Sequence, residues 1–201
     1  MIAMGTVQTV ATQNVRSTMI GLITKKGKRM TVSILKYPST ADWMLCKKCA
    51  LNTVGKVSMN LPTDEWKKKI LEAEHSPIRT LEFCFRMEIP YWVSVHFVRH
   101  KFGVEHFVQS QRDDRAVNTI PRKDKPQGEM VSHIMYINAQ ELINMSHRRL
   151  CKQASPETRY VMNEIVRLVV EKCPEFEDVL VPMCVYRNGK CTEFNSCKKG
   201  S

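Results

Sequence analysis

Two short groups of polar residues have the side chains best suited to binding an anion. They are Arg99, His100 and Lys101 and, after a spacer of eight residues, Ser110, Gln111 and Arg112. Arginine offers a rigid fork of donors that can bind a phosphate through two hydrogen bonds, and histidine can hold or relay a proton near neutral pH. The two groups therefore predict a clamp for a doubly anionic nucleotide.

A simpler interpretation of the same residues stays open. Cations collect at the C-terminal ends of helices because they complement the helix dipole, and a polar loop would then follow. The spacing alone does not separate a nucleotide clamp from a basic helix end.

The composition favours a folded protein with an anionic partner. The chain has 201 residues, of which 43% are hydrophobic, enough for the core of one domain and too many for a wholly disordered chain. Its net charge is +11, from 31 Lys and Arg against 20 Asp and Glu. This excess favours nucleotides, nucleic acids or another acidic partner.

The sequence also predicts a cytoplasmic protein with no membrane partner. No apolar stretch reaches the roughly 18 residues that span a bilayer, and the first residues lack the features of a signal peptide. The eight cysteines are then expected to be reduced thiols. A structural zinc site that combines Cys46 and Cys49 with Cys184, Cys191 and Cys197 is the weaker alternative, because a second C-x-x-C pair is missing. No metal is expected.

Periodicity and capping residues predict the order of the elements. Strands are predicted at 18–24 and 30–36, as a hairpin, and at 81–89 and 131–137. Helices are predicted at 40–52, 65–74, 91–101, 139–150 and 156–173, with a polar loop at 111–130. The clearest element is 81–89, where apolar and polar side chains alternate over nine residues, which predicts one buried face.

Two separated motifs resemble the flavin-dependent thymidylate synthases. The first runs from His75-Ser76-Pro77 through the strand at 81–89 to the two polar groups described above. The second begins at Asn138 and continues through Asn144, Arg149 and Gln153. Their order along the chain matches that of the family, and the resemblance covers residues 30–180.

This resemblance implies an α+β fold, in which an antiparallel sheet is flanked by helices. It implies a single domain at 1–180, followed by a tail at 181–201 that contains Cys and Lys residues. Members of the family methylate deoxyuridine monophosphate (dUMP) at C5 to give dTMP. Methylenetetrahydrofolate supplies the carbon, and FAD reduced by NADPH supplies the hydride. The enzymes are homotetramers whose active sites lie between subunits.

The resemblance also implies roles for individual residues. Ser110 and Arg149 are the candidate catalytic residues, and Arg149 would face the uracil carbonyl, where charge develops as C5 is attacked. The candidate dUMP-binding residues are Ser110, Gln111, Arg112, Arg149 and His96. The candidate residues for FAD and folate are His75, Arg99, His100, Lys101, Asn138, Asn144 and Gln153.

Several positions depart from the family pattern. Lys101 replaces an arginine, His96 a glutamine and Gln153 a histidine, and only 27 residues separate Ser110 from Asn138, where the family has a long helical segment. The changes near the implied base and folate sites leave a pyrimidine-nucleotide hydroxymethylase, which omits the hydride step, as one alternative. A catalytically inactive, basic protein that binds nucleotides or nucleic acid is the other, because of the net charge of +11.

Overall fold

The computed structural model describes residues 29–115 and 120–197. The strands are β1 (Thr31–Lys36), β2 (Glu82–Pro90), β3 (Val104–Val108) and β4 (Met130–Asn138). The α-helices are α1 (Thr40–Asn52), α2 (Asp64–Glu72), α3 (Tyr91–Val98), α4 (Ala139–Arg149), α5 (Pro156–Lys172) and α6 (Met183–Tyr186). Short 3-10 turns lie at Ser76–Thr80, Arg122–Asp124 and Pro174–Phe176.

The four strands form one antiparallel sheet in the order β1-β2-β4-β3. β2 pairs with β4 along its whole length. β3 pairs with the other edge of β4, from Val104 opposite Ile137 to Val108 opposite His133. The predicted α+β fold, an antiparallel sheet with helices, is confirmed.

One face of β2 supplies much of the hydrophobic core. Phe83, Phe85, Met87 and Ile89 are fully buried, whereas the residues between them are partly or fully exposed. This confirms the alternation predicted for 81–89. The strand itself begins one residue later than predicted, because Leu81 is buried but lies before the first paired residue.

Side-chain caps begin four of the helices. Ser39 caps α1 and exchanges hydrogen bonds with Asp42, Thr63 caps α2, Asn138 caps α4 and Ser155 caps α5. Each cap satisfies a backbone N–H that the first turn of a helix leaves without a partner. These four predicted helices are confirmed within two residues at each end.

α3 is buried on one face only, through Val93, Ser94 and Phe97, whereas Val95 and Val98 are 42% and 40% exposed. It is also shorter than the predicted helix at 91–101. It ends at Val98, and Gly103 follows with a φ of +70°, a left-handed conformation that glycine adopts readily. The chain turns there into β3. The prediction was wrong at this end because an apolar run does not show where tertiary contacts replace the last helical turn.

β3 is a strand that the sequence analysis missed. It has only five residues, and its apolar residue Phe107 is 62% exposed. So short a segment, with an apolar side chain on the open face, does not display the period of a half-buried strand. Its pairing with β4 creates the strand.

Two other predicted segments lie wholly or partly outside the described residues. The predicted strand at 18–24 lies outside them, and β1 pairs with β2. In the predicted loop at 111–130, the described residues 111–115 and 120–129 contain no strand and no helix apart from the turn Arg122–Asp124, and Met130 already belongs to β4.

The predicted tail at 181–201 begins with an ordered segment. It contains α6, which packs on α4 through the rings of Tyr186 and His147, 4.5 Å apart. The boundary between a domain at 1–180 and this tail stays a prediction. Within the described ranges, no helix is both long enough and apolar enough to cross a membrane.

A pair of glycine substitutions tests the contact between Gly103 and Asn138. A Cβ on Gly103 would lie 2.3 Å from Asn138 Nδ2, whereas a Cβ on Gly55, which has a similar φ of +65°, would meet nothing within 4 Å. Both substitutions strain a left-handed backbone, but only Gly103→Ala also displaces the cap of α4. We expect urea unfolding to show a loss of about 3 kcal/mol for Gly103→Ala and about 1 kcal/mol for Gly55→Ala. Equal losses would contradict this account.

Candidate functional site

β4 leads into α4 without a loop, and this junction positions the site. The side chain of Asn138 accepts a hydrogen bond from the backbone N–H of Glu141 (2.9 Å). The backbone N–H of Asn138 donates to the carbonyl oxygen of Gly103 (2.9 Å). One residue therefore joins the end of β4, the first turn of α4 and the turn that leads into β3.

Hydrogen bonds connect Glu141, His100 and Arg149, which we call the α4 cluster. Glu141 Oε1 lies 2.6 Å from His100 Nδ1, and Arg149 Nε lies 3.2 Å from His100 Nε2. An arginine N–H can only donate, so His100 Nε2 accepts, and Nδ1 holds the proton that is donated to Glu141. The side chains of His100 and Glu141 are 12% and 11% exposed, so this contact is largely shielded from water.

Arg149 keeps its two terminal amino groups available for a ligand. Its Nε is bound to His100, and within the described part of the chain no carboxylate pairs with it. Burial lowers the pKa of Arg149, and the charges of Arg99 and Arg148 lower it further. A half-buried guanidinium among other cations is a donor site for an anion or a carbonyl oxygen.

His96 adds a second donor near Arg149. Ser155 Oγ donates to Thr158 Oγ1 (2.8 Å), so the Thr158 hydroxyl can donate its own proton to His96 Nδ1 (2.8 Å). The proton of the neutral ring then lies on Nε2. Burial lowers the pKa of His96, and Arg149 and Arg99 lower it further. His96 is therefore neutral at pH 7 and offers an N–H.

A second pair of histidines holds β3 beside His100. His106 Nε2 lies 3.1 Å from the carbonyl oxygen of His100 and therefore donates to it. His106 Nδ1, 3.0 Å from His133 Nε2, must then accept from His133. Burial lowers the pKa of His133 to about 4, with His106 as a further cause, and burial also lowers the pKa of His106. Both rings are therefore neutral at pH 7.

The second predicted polar group lies on residues 109–115, which we call the β3 loop. Ser110 and Arg112 are exposed, and both oxygens of Asp114 hold the Arg112 guanidinium (2.9 and 2.8 Å). The amide Nε2 of Gln111 is a buried donor without a partner among the described residues. The fork predicted to bind phosphate is thus occupied by a carboxylate, which presents two oxygens in a similar geometry.

The β3 loop and the α4 cluster lie beside different parts of β4. The α4 cluster lies beside Asn138 at one end of β4, whereas the backbone N–H of Gln109 donates to the carbonyl oxygen of Ser132 (2.8 Å) toward the other end. Six residues of strand at about 3.3 Å each place Ser132 roughly 20 Å from Asn138 along β4. The single clamp predicted from the two polar groups stays a prediction.

The remaining candidate residues are spread around the α4 cluster and beyond it. Asn144 Nδ2 donates to Glu141 Oε2 (3.2 Å), and Lys101 is exposed just after α3. His75 is exposed at the start of the turn Ser76–Thr80. The Gln153 side chain donates to a backbone carbonyl of the C-terminal segment. The roles assigned to the catalytic, dUMP-binding and cofactor-binding residues stay predictions.

Sequence reasoning missed Glu141, Thr158 and the pair His106 and His133. Glu141 stands three residues after its cap, where a glutamate signals a helix start, and Thr158 stands at the equivalent position after Ser155. These local signals indicate where a helix begins. They do not indicate that the same side chains reach a histidine on another element.

The cysteines are not grouped as the alternative zinc site, which combines Cys46 and Cys49 with Cys184, Cys191 and Cys197, would require. Four of them line one cavity of about 380 Å³: Cys151, Cys184, Cys191 and Cys197. Cys46 and Cys49 lie apart from that cavity, on α1. A backbone hydrogen bond from Glu193 lowers the pKa of Cys191. In residues 29–115 and 120–197, no group of three or more His, Cys, Asp or Glu side chains is arranged to hold a metal ion.

One segment of the chain, which contains α4, matches the model of a known protein family. Residues 122–175 match the family model described as thymidylate synthase complementing protein. The matched segment includes β4, α4 and α5 and thus Asn138, Glu141 and Arg149, but it does not include the β3 loop. No curated protein matches the chain. The match supports the resemblance through the second of the two motifs.

Freeing Arg112 from Asp114 tests whether the β3 loop binds an anion. Asp114→Asn keeps the size of the side chain and removes the charge that holds the guanidinium. An exposed ion pair is worth up to about 1 kcal/mol, so we expect isothermal titration calorimetry to show dUMP binding that is tighter by up to about fivefold. Asp64→Asn, which breaks an exposed pair with Lys67, is the control and should not change the affinity. Weaker binding to Asp114→Asn would contradict the prediction.

The buried His133 should make stability depend on pH. Its pKa is about 4 in the folded chain, against about 6.5 when unfolded. The unfolded chain therefore binds more protons between these values, and stability falls as the pH drops from about 6.5 to 4. We expect urea unfolding at pH 4.5 to show a loss of about 2.5 kcal/mol from this residue relative to pH 7.5. The loss should be smaller in His133→Gln, and parallel losses in both proteins would rule out His133 as the cause.

Proposed function

We propose that this chain, whose residues 122–175 match the family model described as thymidylate synthase complementing protein, is a flavin-dependent thymidylate synthase. It would methylate dUMP to dTMP, with methylenetetrahydrofolate as the carbon donor. NADPH would reduce the bound FAD. The family match supports a thymidylate synthase-related function, and the geometry of the α4 cluster supports the specific reaction.

The anchoring of Arg149 is the observation that carries the proposal. His100 holds its Nε at 3.2 Å, and no carboxylate in the described residues occupies its terminal amino groups. For C5 of a uracil ring to become nucleophilic, negative charge must build up on the conjugated ring carbonyl oxygen, as in an enolate, before C5 bonds to the electrophilic carbon. Donors that are already in place stabilise this charge without reorganising, which is among the largest effects available to an enzyme.

Two further side chains suit the same substrate. The Nε2–H of neutral His96 is a donor for a second carbonyl of the base, and it replaces the amide that the family has at this position. Arg99 adds a positive charge that acts on both His96 and Arg149. A site that offers only donors and positive charge favours an anionic, oxygen-rich ligand such as a nucleotide.

We infer that the complete site forms between subunits of a homotetramer. The β3 loop holds Ser110, Gln111 and Arg112, the candidates for the nucleotide phosphate, and it leaves β4 at Ser132, roughly 20 Å along the strand from Asn138. This placement favours phosphate contacts from a second chain, because a nucleotide is shorter than that length of strand. The β3 loop of a neighbouring copy would supply the phosphate contacts to the α4 cluster.

The described residues also fit FAD by charge. Arg99 and Lys101 are exposed cations directly after α3, and they would hold the pyrophosphate of the cofactor. The exposed Asn144, on the same side of α4 as Glu141, would add an amide. Reduced flavin would supply the hydride, while the residues of this chain bind and orient the nucleotide.

Substitution of two neighbouring arginines tests the proposal. Arg149→Ala removes the anchored guanidinium, and we expect dUMP-dependent NADPH oxidation to fall about 100- to 1000-fold. Arg148→Ala is the matched control, because Arg148 is exposed and pairs with Glu193 (3.4 Å), and its rate should be unchanged. Equal rates in Arg149→Ala and the wild type would contradict the assigned role.

Product analysis separates the proposal from its alternatives. The purified protein should show flavin absorbance after addition of FAD, and mass spectrometry should show a methylated nucleotide. A hydroxymethyl product, heavier by one oxygen, would instead support the hydroxymethylase. A protein that takes up no FAD, does not turn over dUMP and binds DNA or RNA with strong salt dependence would support the non-enzymatic alternative.

A further inference from the structure

We propose that Glu141 is a positioning residue that controls, through His100, how Arg149 presents its guanidinium to the ligand. The proposal rests on the proposed function only for the identity of that ligand. Glu141 does not touch the ligand in this account. It determines which nitrogen of His100 carries the proton and thereby whether Arg149 has an anchor.

The carboxylate of Glu141 is buried, and each of its two oxygens accepts a hydrogen bond. Glu141 is 8% exposed, with Oε1 at 2.6 Å from His100 Nδ1 and Oε2 at 3.2 Å from Asn144 Nδ2. Burying a carboxylate is costly unless hydrogen bonds compensate for the lost water. The partners that compensate here are polar groups of the candidate site.

Glu141 does not make the hydrogen bond to the cap residue that a glutamate at this helix position usually makes. Such a side chain commonly folds back onto the backbone N–H of the cap residue. That N–H, on Asn138, already donates to the carbonyl oxygen of Gly103 (2.9 Å). The carboxylate is therefore free to reach His100, and the helix start does not depend on it.

The two hydrogen bonds of the His100 ring determine which of its nitrogens carries the proton. With Glu141 as acceptor, the proton lies on Nδ1, and Nε2 presents a lone pair to Arg149 Nε–H (3.2 Å). If the proton moved to Nε2, two N–H donors would face each other and the contact with Arg149 would be lost. Glu141 thus controls an acceptor that it does not itself provide.

Anchoring at Nε suits a guanidinium that must bind a ligand. The group is planar and rigid, so one hydrogen bond at Nε restricts its orientation and leaves the terminal amino groups for the ligand. Arg99 and Arg148 repel it and would otherwise favour other rotamers. The neutral acceptor on His100 restrains Arg149 without placing a carboxylate in competition with the anionic ligand.

Three variants of the full chain test this proposal. Glu141→Ala removes the acceptor, whereas Glu141→Gln keeps an oxygen that can accept from Nδ1. Glu175→Ala is the matched control, because Glu175 is equally buried, at 7% exposed, but lies in the turn Pro174–Phe176 near Lys67. Two measurements are made on each: the His100 tautomer, from long-range ¹H–¹⁵N correlations, and the dissociation constant for dUMP.

We expect the Nδ1–H tautomer in the wild type, Glu141→Gln and Glu175→Ala, and a shift toward Nε2–H in Glu141→Ala. The affinity for dUMP should fall about tenfold in Glu141→Ala. In Glu141→Gln it should stay within about threefold of the wild-type affinity. Glu175→Ala should bind dUMP as the wild type does, although thermal unfolding will show that it is destabilised.

The tautomer measurement keeps this proposal separate from the proposed function. If the wild type does not bind dUMP, the proposed function fails, and the tautomers still decide the role of Glu141. An unchanged tautomer in Glu141→Ala overturns the proposal, as does a shift that leaves dUMP affinity unchanged in a protein that binds it. Equal loss of affinity in Glu141→Ala and Glu175→Ala would assign Glu141 a merely structural role and would also overturn it.

Discussion

The rest of the structure depends on the hydrogen bonds at Asn138. Its backbone N–H binds the carbonyl oxygen of Gly103, and its side chain caps α4. These contacts hold the end of β4, the start of α4 and the entry to β3 against one another. Because Gly103 has no Cβ, the cap can approach it closely. The short path from Gly103 back to His100 then places the imidazole between the side chains of Glu141 and Arg149.

This junction explains why the candidate site contains so many donors and one buried carboxylate. Glu141 cannot return to the cap residue, so it binds His100, and His100 in turn holds Arg149. His96 is oriented in a comparable way by Thr158 from α5. The hydrogen bonds leave an arginine and a neutral histidine with N–H groups to offer, a set that suits an anionic nucleotide and a ring on which negative charge develops.

Periodicity and capping were sufficient to predict most of the elements. The buried face of β2 follows from an alternation that reads directly from residue types, and Asn138 and Ser155 mark helix starts because their side chains satisfy nearby backbone groups. β3 could not be predicted in this way. Its five residues are strand because β4 supplies their hydrogen bonds, and no local pattern records the partner. The early end of α3 has a similar cause, since Gly103 is held by a residue 35 positions away in the chain.

The sequence by itself determined which residue types are available for chemistry and, through the motif around Asn138 and Arg149, the family resemblance that the match over residues 122–175 supports. Only the tertiary structure decided how those residues are combined. It joined His100 to Glu141 and Arg149, and it placed Ser110 and Arg112 at the far end of β4. The physical reason is that sequence patterns report local periodicity and local hydrogen bonds. A histidine tautomer, the anchoring of a guanidinium and a separation of roughly 20 Å along a strand depend on groups that meet only after the chain has folded.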